Sequence, residues 1–111
     1  MDDFELKDIG EFIGTLQYTN VMGAKVTDGV VYVMRNGYSW LVTDMIAILR
    51  MKLQNEEFCA VKLKLDGTKA KAIITDGNNK VLYSQDYSYT DAKKEFMMFY
   101  TNGVLMLSGE Y

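Results

Sequence analysis

Histidine is absent from this 111-residue chain. With it go Ser-His-Asp and Cys-His catalysis, imidazole general bases and histidine-bearing zinc sites. Proline is also absent, so nothing marks a rigid hinge or linker. A single cysteine, Cys59, rules out an internal disulfide and fits a reducing cytoplasm. No apolar run approaches the roughly 20 residues of a membrane-spanning helix. The opening Met1-Asp2-Asp3-Phe4-Glu5 is acidic where a secretory leader would be basic and then apolar. Strong charge of one sign is missing as well. The formal net charge is −3, whereas a non-specific nucleic-acid binder is expected to be basic. Hydrophobic residues make up 49% and charged residues 24%, the balance of one globular domain over residues 1–111.

The charge is unevenly placed. Asp2, Asp3, Glu5, Asp8 and Glu11 crowd the first residues against Lys7 alone. Arg50, Lys52, Lys62, Lys64, Lys69 and Lys71 face only Glu56, Glu57 and Asp66 across residues 50–71. Five turn-forming pairs punctuate the chain: Asp28-Gly29, Asn36-Gly37, Asp66-Gly67, Asp76-Gly77 and Asn102-Gly103. They suggest a meander of hairpins.

The expected fold is α+β: an antiparallel sheet of about five to seven strands, with one main helix packed on one face. A short helix over 3–13 carries Phe4, Ile9, Phe12 and Ile13. A first hairpin runs through 24–27 and 30–35 around Asp28-Gly29. Ser39 is placed as the N-cap of the main helix, 40–53. There Trp40, Leu41, Met45, Ile48 and Leu49 follow the helical period, widened by Val42, Ile46 and Leu53. Strands are expected at 57–65, 69–75, 80–89, 94–100 and 104–108.

A two-residue turn at Asp66-Gly67 would set Lys64 against Lys69 and Lys62 against Lys71. Four ammonium groups would then share one sheet face. They could dock phosphate or an acidic surface, or simply keep a hairpin edge soluble. Tyr83, Tyr87 and Tyr89 alternate on one strand face. They either line the helix-covered side or, at Tyr87 and Tyr89, offer contact area to a partner. Phe96-Met97-Met98-Phe99-Tyr100 is apolar on both faces. It is therefore central in the sheet or covered, by an internal helix in the first place or by a partner, which leaves room for a homodimer. Asp44, inside the apolar helix, is either on the exposed rim or buried with a dedicated partner. Cys59 has no activating neighbour in sequence and reads as a small core residue. The acids form no catalytic pair, calcium loop or metal set, and no phosphate loop is present. No catalytic residue, metal or cofactor is expected.

A wider set of residues carries a resemblance. It comprises Gly14-Thr15, Thr27-Asp28-Gly29-Val30, Trp40-Leu41 with Asp44 and Ile46-Ala47, and Asp76-Gly77. Tyr89-Thr90-Asp91, Thr101-Asn102-Gly103-Val104-Leu105-Met106-Leu107 and Glu110-Tyr111 complete it. With these the chain resembles a family of uncharacterised small proteins encoded by phages, plasmids and other mobile elements. The resemblance implies a shared fold and origin. By association it also implies an anti-CRISPR-like inhibitor that blocks a host protein, such as an RNA-guided nuclease or its guide-RNA complex, in the bacterial cytoplasm. Such a protein would act without chemistry and without a membrane. The candidate contact residues are Asp2, Asp3, Glu5, Asp8 and Glu11, which would enter a basic channel, with Lys62, Lys64, Lys69, Lys71, Tyr87 and Tyr89. Two alternatives stand beside this reading: a sponge for a cyclic nucleotide, or a non-enzymatic accessory of the mobile element.

Overall fold

A computed structural model describes residues 18–90 and 92–110. The helix expected over 3–13 and the acids Asp2, Asp3, Glu5, Asp8 and Glu11 lie outside the described residues. The described residues begin with β1 (Tyr18–Val21) and β2 (Ala24–Thr27), an antiparallel hairpin. A bent helix follows, made of α1 (Asp28–Val33), a wide turn (Met34–Tyr38) and α2 (Ser39–Met51). Then come β3 (Phe58–Asp66), β4 (Lys69–Thr75), β5 (Val81–Tyr87), β6 (Met97–Thr101) and β7 (Val104–Leu107), closed by a short 3-10 turn (Ser108–Glu110). The fold is α+β, as expected.

The expected hairpin around Asp28-Gly29 does not form; a helix starts there instead. Val30, Val31 and Val33 are β-branched and favour strand locally. Tertiary structure overrides that preference. Thr27 is extended, and its Oγ1 accepts a hydrogen bond from Val30 N at 3.4 Å. Asp28 sits in the first turn, where the helix dipole favours a negative charge. Val30 and Val33, three apart, are both fully buried. Asn36-Gly37 likewise bends a helix instead of turning a hairpin. Gly37 has φ +99°, a conformation that glycine adopts without a Cβ penalty. Asn36 Nδ2 donates to Tyr32 O at 2.8 Å, holding a carbonyl at the break. Ser39 is not a cap: Tyr38 holds that position, and Ser39 Oγ donates back to Met34 O at 3.0 Å.

The strand order is β1-β2-β7-β6-β3-β4-β5. All neighbours are antiparallel except β2 and β7, which run parallel. A plain meander is therefore excluded. The bent helix carries the chain across the sheet from β2 to β3, and the β6–β7 hairpin fills the gap. Met97 and Met98 are thus in the middle of the sheet, where β6 is paired on both edges; Met98 is buried and Met97 half-buried.

Alternate residues of each strand point toward the helices. Val26, Cys59, Val61, Leu63, Ala70, Ala72, Ile74, Met98, Leu105 and Leu107 meet Leu41, Val42, Met45, Ile46 and Leu49 in one core. Each large apolar side chain buried here contributes about 2 kcal/mol. The buried stripe of α2 is centred on Val42, Met45, Ile46 and Leu49, which leaves Trp40 and Ile48 half-buried on its rim.

Candidate functional site

The seam between α2 and β5 concentrates aromatic and polar side chains at the surface. β5 is the last strand of the described sheet. Its register with β4 is regular from Ala70 opposite Tyr87 to Ile74 opposite Tyr83. Tyr83, Gln85 and Tyr87 therefore share the helix-facing side. Their neighbours Ala70 and Ala72 are small and leave room for the tyrosine rings. Trp40 comes down from the start of α2, its ring 4.8 Å from that of Tyr87 at 73°. This edge-to-face geometry favours aromatic pairs. Tyr38 continues the cluster, edge-on to Phe96 at 5.0 Å.

Asp44 lies one turn beyond Trp40 on the exposed rim, and its Oδ2 accepts a hydrogen bond from Tyr87 Oη at 3.0 Å. Burial first, and then this bond to Asp44, pushes the Tyr87 phenol well above its ordinary value. The phenol therefore stays protonated at neutral pH and holds Asp44 in place as a donor. At the other end of the seam, Lys52 Nζ lies 5.3 Å from the centre of the Tyr83 ring. Tyr83 Oη donates to Gln85 Oε1 at 3.2 Å. Met51 is 75% exposed beside Lys52. Tyr89 falls beyond the end of β5, so the expected alternation stops at Tyr87; Tyr89 is 74% exposed.

The lysines share one face of the sheet, but not with the expected partners. The two-residue loop is Gly67-Thr68, so Lys64 opposes Lys71, Lys69 opposes Asp66, and Lys62 opposes Ile73. Lys71 Nζ is also 3.8 Å from Asp86 Oδ1. The two acids are interleaved with the four bases, which weakens the face as an anion platform. Glu95 lies nearby, its Oε2 accepting from Leu65 N at 2.7 Å.

Two further features have no counterpart in the sequence reading. Glu110 reaches back to the start of α1. Its Oε1 accepts from Thr27 Oγ1 at 2.5 Å and from Leu107 N at 2.9 Å, and its Oε2 from Gly29 N at 3.3 Å. A Cβ at position 29 would stand 2.6 Å from Glu110 Oε1, so any larger residue there would have to displace the carboxylate from its place over the first turn. Sequence offered Thr27 and Glu110 separately, and their 83-residue separation hid the pairing. The second feature is an open cleft of about 640 Å³ between the end of α2 and the β6–β7 turn, lined by Arg50, Gln54, Glu56, Glu57 and Asn102 among others. Arg50 Nη1 is committed to Gly23 O at 3.1 Å. Cys59 is buried, and its thiol is pushed up to about 11 by burial and then by Glu56 and Asp76. It is a core residue, as expected. Among the described residues, no group of three or more His, Cys, Asp or Glu could hold a metal, and no helix is long and apolar enough to cross a membrane.

A family model described as a family of unknown function, DUF6876, matches residues 4–111. No curated protein matches the chain, and no solved structure does.

Proposed function

The chain belongs to the DUF6876 family of unknown function, and from its surface we propose a protein-binding inhibitor of a host defence effector. The effector proposed is an RNA-guided nuclease or its guide-RNA complex, met in the host cytoplasm. The observation that carries the binding role is the α2–β5 seam. Trp40 and Tyr87 form a half-buried aromatic pair there, Asp44 is held by the Tyr87 hydroxyl, and Met51 stands exposed at the end of α2. Trp, Tyr and Met are the side chains that interface cores favour. A rigid aromatic pair presents area without losing rotamer freedom on binding. The resemblance to proteins of mobile elements supplies the class of target. The lysine face supports a cyclic-nucleotide sponge less well, because Asp66 and Asp86 stand among its bases.

The test is plasmid interference in bacteria carrying an RNA-guided nuclease, with size-exclusion of the purified nuclease mixed with this protein. Expression of the chain should restore transformation, and the two proteins should co-elute. A Met51→Glu, Asp44→Lys double variant that stays folded should do neither. Unchanged interference together with separate elution of the native chain overturns the proposal.

A further inference from the structure

We propose that the edge of β5, which no described strand covers, pairs with the β5 of a second copy of this chain, giving a two-fold dimer with one continuous sheet. An edge strand presents unpaired N–H and C=O groups, and proteins usually blunt such edges with proline, lysine, bulges or short length. β1, at the opposite end of the sheet, spans four described residues. β5 is seven residues long and contains neither proline nor lysine. Its one acid, Asp86, is already faced by Lys71 at 3.8 Å. Its one irregularity lies at its start, opposite Ile74 and Thr75, and the rest is regular from Tyr83 to Tyr87.

The regular run selects the register. Two antiparallel copies related by a two-fold axis pair best about the middle of the straight segment, which is Gln85. Residue numbers across the pair then sum to a constant. Tyr83 faces Tyr87 of the second copy on the helix side, and this happens twice. Ser84 faces Asp86 on the other side, also twice, so a hydroxyl meets a carboxylate and no like charges stand directly opposite. Just outside the run, Val81 of one copy is carried toward Tyr89 of the other. These are two of the most exposed large apolar residues described, at 59% and 74%. The same register thus satisfies the edge, pairs the tyrosines and covers an exposed valine. In such a dimer the two α2–β5 seams lie side by side on one face of the joined sheet.

Ser84 is exposed and supplies the test. Sedimentation equilibrium over a concentration series should show a monomer–dimer transition for the native chain. Ser84→Lys places an ammonium against Asp86 of the partner copy at both ends of the run. It should lower the dissociation constant roughly threefold to tenfold. Ser84→Asp should raise it by a similar factor, and circular dichroism should show both variants folded. Hydrogen exchange of the amides in 83–87 should slow as concentration rises. A chain that stays monomeric up to millimolar concentration overturns the proposal and leaves the edge to a strand of another protein. A dimer indifferent to both substitutions, or growth beyond two copies, overturns it equally.

Discussion

At the β1–β2–β7 end of the sheet, one carboxylate is saturated: Glu110 collects Thr27, Gly29 and Leu107 as donors beneath the first turn of α1. At the β5 end, Asp44 has the Tyr87 hydroxyl and remains on the exposed rim. The first carboxylate is used up in joining three segments of the chain. The second is oriented but still open to water. The comparison separates residues that make the fold from residues that can meet a partner. Thr27, Gly29 and Glu110, which carry part of the family resemblance, fall on the structural side.

The largest effect should come from breaking the saturated end. Gly29→Ala drives a methyl into the carboxylate, and Glu110→Ala strands its donors. Each should cost about 2–4 kcal/mol in urea unfolding, with the α2–β5 seam unaltered in near-ultraviolet circular dichroism. At the open end, Trp40→Ala should cost about 2 kcal/mol, since the ring is only half-buried. A double-mutant cycle on Tyr87→Phe and Asp44→Ala should return a coupling of about 1 kcal/mol. A coupling near zero would mean that Asp44 is no better positioned than any surface acid. Lys71→Ala should be the mildest change, within about 0.5 kcal/mol, because the pair with Asp86 is exposed.

Alkaline titration probes the core between these ends. The Cys59 thiol is raised from 9.0 to about 11 in the folded chain, and the Tyr87 phenol is also raised. The unfolded chain therefore loses these protons first. Stability should be full below about pH 9 and fall as pH climbs from 9 toward 11. Cys59→Ala should flatten the lower part of that decline. An unchanged slope would show that the thiol ionises equally well in both states.

Much of this fold was readable residue by residue. The main helix and strands β3 to β7 followed from periodicity and from turns such as Asn102-Gly103. The lysine face was also readable, although the pairing was displaced. Moving the turn from Asp66-Gly67 to Gly67-Thr68 shifts each partner by two, and side chains repeat every two residues. The start of α1 was not readable. Val30, Val31 and Val33 prefer strand, and the carboxylate that favours a helix arrives from the other end of the chain. The seam was half-readable: Asp44 and Tyr87 each stood out, but only the passage of α2 over β5 makes them a pair. Parallel pairing of β2 with β7 left no local trace.

That parallel pairing has a consequence for assembly. The middle of the sheet is its youngest part, because β6 and β7 slot between β2 and β3, which were both synthesised earlier. Without this keystone hairpin, no ladder among the described strands joins β1–β2 to β3–β4–β5, and the bent helix is the covalent link between them.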